Sequence, residues 1–134
     1  IKHAVMDQVE LRHPEGDADL EFLYGTIFVS RRHAGAHSRN VCVFADGELD
    51  RSPTGTGVSG RAALHHARGE LDERQTLTIS SLLGTSMDVE VVGTTRVGDR
   101  AAVVPRVEGS AWITGRHEFF IDPDDPLAGG VLLR

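Results

Sequence analysis

One segment of small residues constrains the fold of this chain more than any other feature. Residues 55–68, GTGVSGRAALHHAR, have the length of a helix, and Gly69 stands where a left-handed C-terminal glycine is expected. Ser52 or Thr54 can cap the N-terminus of this helix. Each internal glycine costs a helix about 1 kcal/mol relative to alanine. A helix that accepts this cost usually lies very close to other backbone, so we expect a sheet that wraps around it.

Most of the remaining sequence has the composition of short strands. Seven segments are rich in Val, Ile, Thr and aromatic residues, and several of them alternate apolar with polar side chains. They are HAVMDQVEL (3–11), LEFLYGTIFVS (20–30), NVCVFADGELD (40–50), TLTISS (76–81), DVEVV (88–92), AAVVPRVEG (101–109) and SAWITGRHEFFID (110–122). The sequence therefore predicts one α+β domain, 1–134, in which a curved, mostly antiparallel sheet encloses a central helix.

The charge and length of the chain argue against several classes of function. A net charge of -6 and scattered basic residues are not the pattern of a nucleic-acid or anionic-membrane surface. No apolar run has the length of a membrane helix, and no signal-peptide pattern opens the chain. The single cysteine fits a reducing compartment. We therefore expect a cytoplasmic protein that binds neither nucleic acid nor membrane.

The glycines of residues 55–60 match G-x-G-x-x-G, the fingerprint of dinucleotide-binding folds. That fingerprint requires a strand that runs straight into the glycines and an acidic residue at the end of a second, parallel strand. Here Asp46 and Gly47 turn the chain before the motif, and Pro53 lies just ahead of it. The later segment LTISS carries no acid at its end, and the flanking segments have the pattern of antiparallel strands. The context therefore argues against a dinucleotide site.

The same helix N-terminus is nevertheless suited to a smaller anion. Backbone N–H groups at its first residues point outward and attract negative charge. Asp50 lies four residues before Thr54, and Ser52 and Thr56 add further hydroxyl groups. An amino acid needs such a pair, because its carboxylate meets the helix and its ammonium group meets the Asp. The alternative is that the glycines serve packing alone.

The histidines and the cysteine do not form a recognisable catalytic or metal pattern. His33 and His37 lie in a polar segment, and His65 and His66 lie on the predicted helix. No Cys, His or carboxylate set completes a zinc pattern such as H-E-x-x-H, so we expect no metal. Cys42 stands in the apolar segment VCVF with no activating base nearby in sequence. We expect it to be an inert core residue.

The segment DRSPTGTGVSGRAALHHARGEL resembles the second active-site motif of the proline racemase family, usually written D-R-S-P-C-G-T-G. FLYGTIFV, RNVCVFADGELDRSP, GSAWITGRHEFFIDPDDPL and GGVLLR also fall where that family has similar segments, so the resemblance covers nearly the whole chain. It implies a fold of two pseudo-symmetric halves, each a curved sheet around a helix, with substrate held between the two helix N-termini. This chain, which begins at Ile1, resembles the C-terminal half. Residues 116–134 are expected to pack on the other half or on a second copy, as in a homodimer.

Thr54 departs from the family motif and indicates a branch of the family. Racemases and epimerases of the family carry Cys at this place, whereas Thr54 with FLYGTI upstream resembles the trans-3-hydroxy-L-proline dehydratases. Racemisation needs a base on each face of Cα, but dehydration needs only one base to remove the α-proton. In the family that base is a cysteine of the other half. The resemblance therefore implies half of a cofactor-independent hydro-lyase that is inactive alone.

The resemblance also implies roles for individual residues. Asp50 would contact the substrate nitrogen, and the backbone of Gly55 and Thr56 would bind its carboxylate. Thr54, as the catalytic position, would face Cα opposite the cysteine. Phe44 matches a pocket aromatic, and a core strand Phe is the alternative. Two other functions stay open: a proline racemase or hydroxyproline 2-epimerase relative, and a non-catalytic module that binds a small amino acid.

Overall fold

One six-stranded sheet and one long helix make up the ordered framework of the chain. A computed structural model describes residues 1–33 and 35–131, apart from the side chains of Arg32 and His33. In chain order the elements are α1 (Lys2–Met6), a 3-10 turn (Ala18–Leu20), β1 (Gly25–His33), β2 (Ala36–Phe44), β3 (Glu48–Leu49), α2 (Gly55–Ala67), β4 (Leu77–Ser80), β5 (Ser86–Val97) and β6 (Arg100–Gly109). None of the helices in this described part has the length and apolarity to span a membrane.

The sheet is mostly antiparallel, as predicted, with the strand order β1-β2-β4-β5-β6 and β3 paired to β2. The exception is the pairing of β2 with β4, which is parallel and aligns Ser38 with Ile79 and Arg39 with Ser80. The expectation that the segments flanking the helix are antiparallel was therefore wrong. Because α2 carries the chain back along the sheet, β4 can start at the same end as β2, as in any β-α-β crossover.

Helix α2 is confirmed as the central helix. Its C-terminus is closed by Gly69 at φ 70, where the N–H of Glu70 donates to the carbonyl of His65 at 2.9 Å. Val58 and Ala62 are fully buried. They form the core with five residues of the sheet and its connections: Leu71, Leu77, Ile79, Val89 and Val91.

The two internal glycines of α2 behave differently. A Cβ at Gly57 would lie 2.2 Å from Cδ1 of Ile27 in β1, so this glycine permits the close approach of strand and helix that the sequence predicts. A Cβ at Gly60 would meet nothing within 4 Å in the described part of the chain. Gly60 is therefore not required by the packing seen here.

Two of the predicted strands do not form. Residues 3–11 enter α1 and then an irregular segment, and residues 110–122 have no regular structure. Strand composition produces a strand only where a neighbouring edge accepts its hydrogen bonds. Within the described residues no strand pairs with 110–122, and Ile113 is 94% exposed. The packing predicted for 116–134 stays a prediction, and residues 132–134 lie outside the described part of the chain.

Candidate functional site

The turn before α2 is held by a chain of hydrogen bonds that begins at Asp50. The Asp50 N–H donates to the carbonyl of Cys42 in β2 at 3.0 Å, which ties the turn to the sheet. One carboxylate oxygen, Oδ1, accepts the N–H of Ser52 at 2.8 Å. The Ser52 Oγ in turn accepts the N–H of Thr54 at 3.0 Å. The turn therefore brings Asp50 and Thr54 together, and the Thr54 hydroxyl donates to Asp50 Oδ2 at 2.8 Å.

The sequence predicted that Ser52 or Thr54 would cap α2, and neither side chain does so. Thr54 occupies the N-cap position, but its side chain bonds to Asp50 and makes no capping hydrogen bond. Its backbone has φ 72 and ψ 100, a region that a β-branched residue rarely enters. Such a conformation costs about 1–3 kcal/mol and persists only where the surroundings enforce it. Thr54 is therefore a strained residue at the junction of turn and helix.

The N-terminus of α2 presents backbone donors beside Asp50. The first helical hydrogen bond runs from the N–H of Val58 to the carbonyl of Thr54 at 2.8 Å. The N–H groups of Gly55, Thr56 and Gly57 consequently have no acceptor within the helix. These groups carry the positive end of the helix dipole, so an anion is favoured there.

Asp50 is held as a carboxylate. Burial acts to raise its pKa, but hydrogen bonds from the Ser52 backbone, the Thr54 hydroxyl and the Ser52 side chain, together with the charge of Arg51, outweigh burial and lower it. A fixed negative charge thus lies next to a helix end that attracts negative charge. The two features together suit a zwitterion, whose ammonium group and carboxylate have opposite needs.

Phe44 lies apart from this group. Its ring packs on that of Tyr24 with centroids 5.7 Å apart. It lines a cavity of about 390 Å³ with Thr26 and Phe28, and neither Asp50 nor Thr54 reaches that cavity. The described residues therefore do not place Phe44 beside the other predicted site residues.

A second cavity, of about 520 Å³, adjoins the turn before α2. Arg51, Ser52 and Pro53 form one wall of this cavity, and Met87 and Trp112 lie on others. It is open to solvent and lies next to the residues that hold Thr54.

A polar network that was not predicted from the sequence lies under the turn. Arg61 of α2 donates through Nη1 to Ser38 Oγ at 2.6 Å and to Asn40 Oδ1 at 2.9 Å. Asn40 Nδ2 donates to the carbonyl of Pro53 at 3.0 Å. Ser38 and Asn40 are each 1% exposed and share the face of β2 that carries buried Cys42. The sequence did carry a sign of this network, because Ser38 and Asn40 lie two and four residues before Cys42 and so share its buried face of the strand.

The histidines form a small cluster at the other end of α2. The rings of His37 and His65 meet edge to face with centroids 5.3 Å apart. His65 Nδ1 lies 2.7 Å from Glu70 Oε2, and His65 Nε2 lies 3.3 Å from Arg61 Nη2. The cluster therefore joins His65 to both Arg61 and Glu70 near the C-terminus of α2.

No group of three His, Cys, Asp or Glu side chains in the described ranges could hold a metal ion. The side chain of His33 lies outside those ranges. Cys42 is 4% exposed and makes no disulfide, in keeping with the core position expected for it.

Comparison with known proteins agrees with the motif. The profile of the family described as proline racemase matches residues 1–132. A trans-3-hydroxy-L-proline dehydratase of Colwellia psychrerythraea is 50% identical over all of this chain and 38% of its own length. A proline racemase of Clostridioides difficile is 38% identical over all of this chain and 40% of its own length. The crystal structure of a hydroxyproline epimerase from Agrobacterium vitis with bound trans-4-hydroxy-L-proline superposes with a TM-score of 0.81 at 32% identity, over 98% of this chain and 38% of that one. The chain thus spans about two fifths of the length of these relatives.

Proposed function

The chain belongs to the proline racemase family, and from that premise we propose that it forms the C-terminal, substrate-binding half of a cofactor-independent trans-3-hydroxy-L-proline dehydratase. One observation carries the proposal. The hydroxyl of Thr54 is bound to the carboxylate of Asp50 at 2.8 Å, directly at the open N-terminus of α2. A threonine held in this way supplies no proton-abstracting base at the position where family racemases carry cysteine.

Substrate binding follows from the charges at the turn. The carboxylate of a hydroxyproline accepts hydrogen bonds from the N–H groups of Gly55 and Thr56. Its ring ammonium group pairs with Asp50, whose lowered pKa keeps the carboxylate charged at neutral pH. The substrate Cα then faces Thr54. Phe44 is retained as a proposed pocket aromatic, which would contact the ring only if the substrate extends toward the end of β2.

The proposed reaction needs one base, and this chain does not provide it. Cys42, the only cysteine of the sequence, is buried in β2 behind the turn. We therefore assign the base to a cysteine thiolate in a part of the protein beyond this sequence. The thiolate takes the α-proton, the electron pair forms a double bond to the third ring carbon, and the hydroxyl group leaves that carbon as water after protonation. The resulting enamine tautomerises to Δ1-pyrroline-2-carboxylate.

The helix end assists the same step. As the α-proton leaves, negative charge spreads onto the substrate carboxylate, and the N–H groups of Gly55 and Thr56 lie in place to stabilise it. Thr54 orients the substrate or passes a proton through water, but its hydroxyl is far too weak an acid to act as an anion at neutral pH. Two-base racemisation is disfavoured for this reason.

The test uses the full-length protein and follows loss of water from trans-3-hydroxy-L-proline by NMR. We expect turnover with the wild type and a loss of about 10- to 100-fold in kcat/KM for Asp50→Asn, because a charged hydrogen-bonded pair contributes about 1.5–3 kcal/mol. The matched control is Asp99→Asn in the turn between β5 and β6, which should leave kcat/KM unchanged.

Two outcomes would contradict the proposal. Exchange of the α-proton of proline or 4-hydroxyproline with inversion, and no water loss from 3-hydroxyproline, would make the protein a racemase or epimerase. Binding of these amino acids without any turnover would make it a binding module. In the first case Thr54→Cys should increase the exchange rate.

We further propose that residues 1–134 alone have no dehydratase activity, since they lack an accessible thiol. Turnover by the isolated chain that survives a thiol-blocking reagent and disappears in Thr54→Ala would refute this. The exposed apolar side chains of the C-terminal segment, among them Trp112, Phe119 and Phe120, are proposed to pack on another part of the protein or on a second copy.

A further inference from the structure

Arg61 is a half-buried cation with an unusual set of partners. In the described part of the chain it forms no ion pair; it donates to Ser38 Oγ and Asn40 Oδ1, and its Nη2 lies 3.3 Å from His65 Nε2. Removing a charge from water is costly unless its hydrogen bonds are satisfied. The hydrogen bonds to Ser38 and Asn40 therefore offset the cost of burying part of the Arg61 side chain.

These hydrogen bonds determine the orientation of one buried amide. A guanidinium has only donors and a backbone carbonyl is only an acceptor. Asn40 lies between Arg61 and the carbonyl of Pro53, so its Oδ1 must face Arg61 and its Nδ2 must face Pro53. Without Arg61, Asn40 Oδ1 would lose its donor, and the bond to the Pro53 carbonyl alone would be left to hold the amide.

The carbonyl of Pro53 belongs to the peptide plane that leads into Thr54. Pro53 is fully buried, and this plane is held at both of its polar groups: the carbonyl accepts from Asn40 Nδ2, and the Thr54 N–H donates to Ser52 Oγ. The plane sets the φ of Thr54, which lies at 72 and so has to be enforced by its surroundings. The same plane aims the first N–H groups of α2.

We propose that Arg61 and Asn40 are positioning residues, which hold the Pro53–Thr54 peptide so that Thr54 and the open N–H groups of α2 face the substrate. The inference rests on the proposed function for its effect on turnover. Its structural part, the restraint on the turn, stands independently and can be measured without substrate.

Three variants of the full-length protein separate positioning from general stability. Asn40→Asp keeps an acceptor toward Arg61, and gains charge complementarity with it, but has no donor for Pro53. Arg61→Met removes the partner of Asn40, whereas Arg61→Lys retains a cationic donor. Arg68→Met is the matched control, because it removes a charge from the exposed C-terminal end of the same helix.

Hydrogen exchange followed by mass spectrometry reports on the turn directly. The N–H groups of Thr54 and Val58 are bonded within the turn and the first helical turn. We expect their exchange to accelerate by about tenfold or more in Asn40→Asp and Arg61→Met. Arg61→Lys should remain near the wild type, and Arg68→Met should not change.

Turnover provides the second readout. A displacement of about 1 Å at a reacting group can cost about 100-fold, so we expect kcat/KM to fall by about 10- to 100-fold in Asn40→Asp at a temperature where the variant is still fully folded. If the wild type shows no dehydratase activity, the proposed function fails while the exchange result still tests the positioning. Unchanged exchange at Thr54 and Val58 in Asn40→Asp would overturn the inference. Exchange that rises equally along all of α2 would also overturn it, as a purely structural effect.

Discussion

Because the backbone of Thr54 is strained, we expect glycine to give a more stable protein than alanine at this position, the reverse of the usual order in a helix. Thr54→Ala and Thr54→Gly both lose the hydrogen bond to Asp50, so the comparison between them isolates the backbone. A left-handed conformation costs an L-residue about 1–2 kcal/mol. Glycine escapes this cost but loses about 0.5–1 kcal/mol more conformational entropy on folding. We therefore expect Thr54→Gly to be more stable than Thr54→Ala by about 0.5–1 kcal/mol.

Urea unfolding of the full-length protein, followed by circular dichroism, measures this difference. Ala67 provides the control, because it is exposed at the end of α2 with ordinary helical geometry. There glycine should be less stable than alanine by about 1 kcal/mol. If Thr54→Gly is less stable than Thr54→Ala by a similar amount, the backbone of Thr54 is not held at positive φ, and Arg61 and Asn40 have no strained peptide to position.

Three further predictions concern pH and the helix. The folded pKa of Asp50 lies below its ordinary 3.8, so the stability that its charge contributes is complete above that pH and is lost as the pH falls further. In Asp50→Asn the melting temperature should therefore depend less on pH in this acid range. A pH dependence equal to that of the wild type would contradict this role of Asp50. Gly60→Ala should raise the free energy of unfolding in urea by about 1 kcal/mol. Gly57→Val should lower the free energy of unfolding, because the new side chain would collide with Ile27. Equal effects of the two substitutions would contradict the close contact between Gly57 and Ile27. Burial, followed by the charge of Arg61, lowers the pKa of His37 below its ordinary 6.5. The folded protein thus favours the neutral ring, so stability should decline as pH falls below 6.5, and less so in His37→Asn; identical slopes would refute this.

The central part of the fold was predictable because local pattern and tertiary partners agree there. The alternating segments that became β2, β4, β5 and β6 pair with one another, and Gly69 ends α2 where its type indicates. The segments 3–11 and 110–122 have the same composition but no strand beside them in the described chain. Composition predicts that a segment can be a strand, and only a neighbouring strand makes it one.

The candidate site was predictable in part for a similar reason. Asp50 and Thr54 are close in sequence, so their juxtaposition followed from one short motif. The hydrogen bond of the Thr54 side chain to Asp50, in place of a helix cap, could not be predicted. Capping preferences depend on the type of side chain and carry no information on the backbone φ. Arg61 and Asn40 were missed because their contact joins distant parts of the chain.

The parallel pairing of β2 with β4 also has a consequence for how the chain assembles. Every other strand pairing in the described chain joins two strands that are consecutive in sequence. The pairing of Ser38 with Ile79 instead closes a loop of about 40 residues, and contacts between such distant residues slow folding. We therefore expect the chain to fold as two meanders, β1 to β3 and β4 to β6, which form first and then dock. Helix α2 contacts both meanders. Arg61 donates hydrogen bonds to Ser38 and Asn40 of the first meander. Val58 and Ala62 pack in the core that also contains Val89 and Val91 of the second meander. The turn before α2 lies between the two meanders, and the hydrogen bonds that tie it to the sheet come from the first meander, through Asn40 and Cys42.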